Sequence, residues 1–301
     1  MSKSRTNPCV PGDVVQDPAS LLNVVCDMCG GDIQELLFVK EGFRHVRCRN
    51  CGLVFVNPRL AAHVDLQVET GTGTMGEDRL SASQVRRLQK ELAVLEPFRR
   101  LNRLLEVGAG KGWFLSEASE RGWETWAVEI NRQAVNSLRS RDVHRILTQP
   151  ADNFDAPASF FDVVRIWDVI EHLESPRACV SNIFRVLREG GLLRLSTTNF
   201  ASLSRWVNGP EWVYLNGADH IALFEPSTIM RLLTDAGFSD IAVRTRSFNL
   251  RRKLYHPERE LPPGSLLLRP FRKLIDEAMR FTLFGHQMIV TAVKPASNPS
   301  A

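Results

Sequence analysis

The stretch Leu104-Leu105-Glu106-Val107-Gly108-Ala109-Gly110-Lys111-Gly112 constrains this chain more than any other. An apolar run of strand length ends in a turn with glycine at every second position, and a helical pattern through Phe114–Glu120 follows. Glycine there lets the backbone take positive φ and approach a ligand closely, at a helix mouth whose free N–H groups face it.

The same order then repeats. The pattern predicts a strand over Thr125–Glu129 with a helix near Gln133–Ser140, and a weaker strand at Val143–Leu147. Next come Phe161–Trp167 with the helix Arg177–Leu187, then Leu192–Thr197, the helix Thr228–Ala236, and final strands at Ile241–Arg246 and Gln287–Val293. Strands alternating with helices imply α/β architecture around a parallel sheet. Ahead of it, Val85, Leu88, Leu92 and Leu95 mark one face of a helix that Pro97 should stop.

Two details narrow the ligand. Glu129 lies 17 residues beyond Gly112 at a strand end, where a carboxylate can accept hydrogen bonds from both hydroxyls of a ribose. The glycines run G-x-G-x-G instead of G-x-G-x-x-G, and Glu106 just before them would repel a pyrophosphate but suits a cationic group. On these residues the chain resembles the class I S-adenosylmethionine-dependent methyltransferases, over roughly residues 85–294.

That resemblance implies a Rossmann-like, doubly wound sheet of seven strands, mostly parallel with the last antiparallel. It implies that Gly108, Ala109, Gly110 and Gly112 wrap S-adenosylmethionine, with Glu106 toward its amino-acid end, Glu129 on the ribose, and Asp152 and Asn153 at the adenine. Trp167 and Asp168, at the end of the fourth strand, should face the cofactor cleft. Arg165 departs from the apolar pattern usual in that strand, and Glu189 stands where the family commonly has proline.

Cys26-Asp27-Met28-Cys29-Gly30 and Cys48-Arg49-Asn50-Cys51-Gly52 are two C-x-x-C-G knuckles 18 residues apart. Four thiolates so spaced suit a tetrahedral structural zinc in a small N-terminal ribbon, with no ligand position left open for chemistry. A redox pair and a metal-free ribbon are the alternatives. Cys9 and Cys179 stand apart, and His45 reads as a surface residue. Val54–Arg59 reads as a strand and exit turn packing against the main domain.

Methyl transfer needs alignment of donor and acceptor and, for a hydroxyl acceptor, removal of a proton. His172 and Glu171 follow the fourth strand, while Asp219 and His220 lie in Trp212–Phe224. That second stretch resembles the W-x(n)-H-x-x-x-F segment of enzymes related to ubiquinone O-methyltransferases, where it closes over the substrate. Trp206, Trp212 and Tyr214 form either an aromatic wall for the acceptor or the core of this lid. The basic, apolar stretch 251–284 reads as an amphipathic helix packed on the domain, and peripheral membrane contact is the less favoured alternative. His286 reads as structural.

The divisions are a leader at 1–20, the ribbon at 21–60, a linker at 61–84, the catalytic domain at 85–296 with a lid at 200–225 and an insertion at 249–284, and a tail at 297–301. No internal repeat is present. A net charge of +4 over 38 basic and 34 acidic residues permits nucleic acid as a partner without indicating it, and the lack of a basic stripe interleaved with aromatics speaks against it. No apolar run approaches the ~20 residues of a membrane span, and the first residues lack the apolar core of a signal peptide, which places the chain in the cytoplasm. The expected function is transfer of a methyl group to oxygen, or else carbon, of a small molecule such as a sugar, a lipid-linked compound or a secondary metabolite. An RNA methyltransferase gripping its substrate with the ribbon, a non-catalytic cofactor-binding scaffold and an NAD-dependent dehydrogenase are the competing readings. The acceptor and the oligomeric state are not written in these patterns.

Overall fold

A computed structural model describes residues 20–61, 79–247, 277 and 282–296. The leader, Cys9, most of the linker, nearly all of the 249–284 insertion and the tail lie outside these residues.

The N-terminal strands are β1 (Leu21–Leu22), β2 (Gln34–Lys40), β3 (Phe43–Cys48), β4 (Val54–Val56) and β5 (Arg59–Leu60). Strands β2 and β3 join through Glu41 and Gly42, both at positive φ, the backbone that a tight two-residue hairpin requires. Helix α1 (Ala82–Leu95) begins at a capping box in which Ser81 and Gln84 satisfy each other's backbone N–H. The α-helix stops at Leu95, just ahead of Pro97, as expected, and a separate 3-10 turn, Glu96–Phe98, follows with the proline in its first turn, where it has no intrahelical N–H to lose.

The elements that follow are β6 (Arg103–Val107), α2 (Trp113–Glu120), β7 (Glu124–Val128), α3 (Arg132–Arg139), β8 (Arg145–Leu147), β9 (Phe161–Trp167), α4 (Pro176–Val186) and β10 (Leu187–Thr198). They continue with α5 (Leu203–Asn208), β11 (Ala222–Leu223), α6 (Pro226–Asp235), β12 (Ser239–Arg246) and β13 (Gln287–Val293). Seven of the strands form one sheet in the order β12-β13-β10-β9-β6-β7-β8. The pairs from β10 to β8 run parallel, and β13 is antiparallel to both neighbours. Strand order reverses between β6 and β9, which opens a crevice at their carboxyl ends, where ligands bind in such sheets.

Alternate residues on each strand face opposite layers. Leu104, Val163 and Leu192 pack with Leu92, Leu95, Phe114 and Leu115, whereas Leu105, Val164, Ile166 and Leu195 pack with Val180, Ile183, Ile229 and Leu233. Both faces are covered, so the strands read as nearly continuous apolar runs. Strand β10 starts at Leu187 and not at the expected Leu192. Leu187 pairs with Phe161 before an irregularity that includes Gly190 at positive φ, a glycine pattern that mimics a turn in sequence.

The ribbon is not a separate bead. The lid strand β11 adds antiparallel to β4, giving a four-stranded sheet β11-β4-β3-β2. Cys26, Cys48, Cys51, Leu53 and Phe55 belong to the same apolar cluster as Ile229, Leu232 and Leu233 of α6. Polar ties fix the orientation: the Arg47 guanidinium donates to Glu225 at 2.7 Å, Arg59 to Glu174 at 3.3 Å, and Asp27 accepts from Ser175 Oγ at 2.6 Å and Arg177 N at 2.8 Å. His45, expected at the surface, is fully buried on β3 and stacks on Phe38 with ring centroids 4.7 Å apart. Both its ring nitrogens lack a partner among the described residues, and burial lowers its pKa to about 4. Strand β3 is interior because it lies between β2 and β4, and β11 extends the same sheet beyond β4. No helix among the described residues is long and apolar enough to cross a membrane.

Candidate active site and cysteine cluster

The glycine turn leaves β6 with Gly108, Gly110 and Gly112 all at positive φ. A side chain on Gly108 would run into Val169 of the loop after β9, whereas beside Gly110 nothing lies within 4 Å. The turn is thus closely packed below and open to a ligand above. Glu129 ends β7 beside it, accepting from Gly110 N and Asn131 N, both at 2.8 Å, one at each carboxylate oxygen. Each oxygen keeps a lone pair for a hydroxyl, so Glu129 is both anchored and able to hold a ribose. Asp152 and Asn153 lie in the turn after β8, the first half-buried and the second exposed. Ala109 packs half-buried against the α1 layer.

Glu106 is buried on β6, in register with Arg165 on β9, and the two form an ion pair. Glu106, whose position suits a ligand's cationic end, thus also has a protein partner, 59 residues away in sequence. The Arg165 guanidinium also lies over the rings of Phe114, at 4.1 Å, and Trp167, at 4.2 Å. Asp168, at the end of β9, has φ 52, a left-handed backbone that is costly for a non-glycine residue and that clusters at functional sites. It accepts from Ser196 Oγ at 2.7 Å and from Gln287 Nε2 at 3.0 Å.

Beyond Asp168 a cavity of about 160 Å³ is lined by Asp168, Glu171, His172, Thr198, Tyr214, His220, His286 and Gln287. Glu171 and His172 stand on a 3-10 turn, Ile170–His172, and His220 comes from the lid, whose Ile221 N donates to Glu171 O at 3.0 Å. Asp219 does not pair chiefly with its neighbour in sequence. Its Oδ1 lies 2.8 Å from His172 Nδ1, while Oδ2 is 3.8 Å from His220 Nε2. The two imidazoles meet edge to face at 4.7 Å.

This arrangement separates the protonation behaviour of three neighbours. Burial pushes the Glu171 carboxyl up to about 7 against the pull of His172. Its Oε2 accepts from Thr197 Oγ1 at 2.9 Å, and Oε1 has no partner among the described residues. Burial opposes charge on His172, yet the Asp219 hydrogen bond and the nearby Glu171 and Asp219 carboxylates outweigh it, raising its pKa to about 9. Burial and the His172 charge together lower His220 to about 4, against a backbone hydrogen bond to Tyr214. At neutral pH the set therefore holds an imidazolium, a neutral imidazole and a carboxyl poised to change charge. Glu171, His172 and His220 each offer a ligand atom, all within 4.8 Å of one another, so the same donors could hold a divalent cation.

Of the aromatic residues, Tyr214 lines the cavity and stacks 5.9 Å from both His220 and His286. Trp212 is buried in the lid core, and Trp206 is 75% exposed on α5. Only Tyr214 thus belongs to the wall that the sequence offered. His286, read as structural, reaches the cavity because β13 begins beside β10.

The four ribbon cysteines converge. Cys26 Sγ lies 3.4 Å from Cys51 Sγ and Cys29 Sγ 3.5 Å from Cys48 Sγ, with all four within 4.8 Å. Tetrahedral zinc with Zn–S near ~2.3 Å needs sulfurs on the order of 3.8 Å apart. Burial raises the thiol pKa of Cys51 to about 11 and that of Cys26 further, whereas at Cys48 burial is outweighed by backbone and side-chain hydrogen bonds that lower it, so thiolates at Cys26 and Cys51 call for a cation. The backbone closes each knuckle, with Gly30 N donating to Cys26 O and Gly52 N to Cys48 O.

Residues 79–243 match the model of the methyltransferase domain. The chain is 29% identical over 162 residues to a ubiquinone biosynthesis O-methyltransferase of Idiomarina loihiensis, covering 49% of this chain and 65% of that protein, just under two thirds. It is 30% identical over 191 residues to a protein of Mycobacterium tuberculosis named probable S-adenosylmethionine-dependent methyltransferase, covering 62% of this chain and 68% of that one. An S-adenosylmethionine-dependent methyltransferase structure from Archaeoglobus fulgidus shares the fold, with a TM-score of 0.51 and 22% identity over 70% of this chain and 93% of that one.

Proposed function

The chain belongs to the S-adenosylmethionine-dependent methyltransferases that carry this domain, and from that premise we propose that it methylates an oxygen of a small molecule. When bound between the glycine turn and Glu129, the cofactor supplies a methyl group on a cationic sulfur. The observation that carries the choice of oxygen is Glu171, a buried carboxyl near pKa 7 with an unpaired oxygen, in a cavity reached from the loop that packs on Gly108.

A general base works best when its pKa lies near the working pH. Glu171 Oε1 would take the proton of the acceptor hydroxyl, whose oxygen gains the methyl carbon as that carbon's bond to sulfur breaks. His172, held as imidazolium by Asp219, stabilises negative charge developing on that oxygen, and neutral His220 lines the cavity beside the hydroxyl. The cavity admits a hydroxyl-bearing end and not a whole metabolite, since ligand pockets commonly run to ~300 Å³ or more. The remainder of the acceptor lies beyond it. The name of the Idiomarina relative, an O-methyltransferase, supports the same atom.

The cysteine cluster holds one structural zinc, which fixes the ribbon against the lid. The test is calorimetric titration with S-adenosylmethionine and S-adenosylhomocysteine, NAD serving as control, followed by labelled-methyl transfer to a panel of hydroxyl, amine and carbon acceptors. Binding of the first two and label on hydroxyl compounds is the expected result. Binding of NAD alone overturns the cofactor, and label on amines or carbon alone overturns the oxygen acceptor.

A further inference from the structure

The Glu106–Arg165 pair sits where an apolar pair would serve stability as well. It lies on the sheet face that carries Leu104, Val163 and Leu192 beneath α1, and replacing a buried ion pair with packed apolar residues is often neutral or stabilising. Nor is the pair fully satisfied. Glu106 Oε2 and Arg165 Nε are buried without a hydrogen-bond partner among the described residues. Stability alone does not account for a buried pair that leaves one acceptor and one donor unused.

The surroundings of Arg165 are crowded with charge. Arg194 lies beside it in register on β10, Glu91 and Arg87 act on it from α1, and Asp168 from the end of its own strand. Arg194 is already engaged, donating to Glu91 at 2.9 Å, and Asp168 accepts from Ser196 and Gln287. Arg246 on β12 lies over the far Trp167 ring, at 5.6 Å. Among these, Glu106 is the carboxylate that Arg165 contacts, two residues before the glycine turn.

We propose that Arg165 is a positioning residue: it keeps Glu106 ionised in a dry site and occupies Oε1, leaving Oε2 to accept from the ammonium group at the amino-acid end of the cofactor. The proposal rests on the methyltransferase reading. A carboxylate buried without its counter-charge takes up a proton as pH falls, and a protonated Glu106 no longer attracts a cation. Arg165 therefore makes cofactor affinity insensitive to pH around neutrality.

The experiment uses the full chain and two ligands that share the adenosine part: S-adenosylhomocysteine, with the ammonium group, and 5′-methylthioadenosine, without it. Affinities are measured by calorimetry from pH 6 to pH 8. For the wild type both are expected to stay level. For Arg165→Met, S-adenosylhomocysteine should bind on the order of tenfold more weakly at pH 6 than at pH 8 while methylthioadenosine is unchanged, and Arg165→Lys should restore the level profile. Glu106→Gln/Arg165→Met removes both charges and guards against misfolding of the single variant. It should bind methylthioadenosine as the wild type does and S-adenosylhomocysteine more weakly at every pH. Equal loss of both ligands in Arg165→Met, or no loss of S-adenosylhomocysteine, overturns the proposal. Failure of the wild type to bind either ligand overturns the methyltransferase reading and this proposal with it.

Discussion

The catalytic sheet and the cysteine ribbon are both β-structure, but they are held together by different means. Strands β6, β7 and β9 are covered on both faces, and their apolar side chains are almost wholly removed from water. The ribbon, residues 20–61, leaves Ile33, Leu36 and Val39 exposed on one side and is too short for a core of its own. It completes itself with four clustered sulfurs, with one strand from the lid, and with the flank of α6. One region carries its fold within its own sequence, and the other borrows from a distant part of the chain.

The difference is open to direct attack. Cys48→Ala, or chelation of the metal, should remove the zinc and lower the melting temperature of the whole chain by at least ~10 °C in one transition. Structural zinc contributes on the order of 10 kcal/mol or more, and the cysteines share a core with α6. A separate small transition in scanning calorimetry, with the main one unmoved, would make the ribbon an independent unit and break the comparison.

The next effect belongs to the turn after β9, whose Glu171 backbone carbonyl accepts from Ile221 N. Glu171→Gln should lower turnover by about 10²- to 10⁴-fold with cofactor affinity unchanged. In the wild type the rate should fall as pH drops through about 7, because Glu171 must be ionised to take a proton. It should fall again on the alkaline side. His172 has its pKa raised in the fold, so its tie to Asp219 is fully present below the ordinary histidine pKa, near ~6.5, and is lost as pH rises through about 9. An acid limb that survives Glu171→Gln at the same pH would move the base elsewhere.

Glu129→Ala tests the catalytic side alone. Losing two charge-assisted hydrogen bonds, each worth roughly 1.5 kcal/mol, should weaken S-adenosylhomocysteine binding by about 100-fold. Zinc content, read by metal analysis, should not change. The smallest effect expected is that of Arg47→Met, which cuts one partly exposed tie between β3 and Glu225 and should cost about 1 kcal/mol in chemical denaturation. A much larger loss would show that this single pair, and not the shared core, holds the ribbon in place.

What the sequence determined by itself was whatever local pattern encodes. Strands β9 and β13 lie at the bounds their apolar runs predict, and the glycine turn and the cysteine knuckles announce themselves by spacing. The mostly parallel order follows from strand–helix alternation. Tertiary structure alone decided which distant side chains meet. It buried His45 on β3 between β2 and β4, gave Asp219 to His172, 47 residues away, and set Arg165 against Glu106, 59 residues away. Periodicity records which face of a strand or helix is apolar, but the charge state of a buried group depends on which neighbours displace its water, and only the folded chain brings those neighbours together.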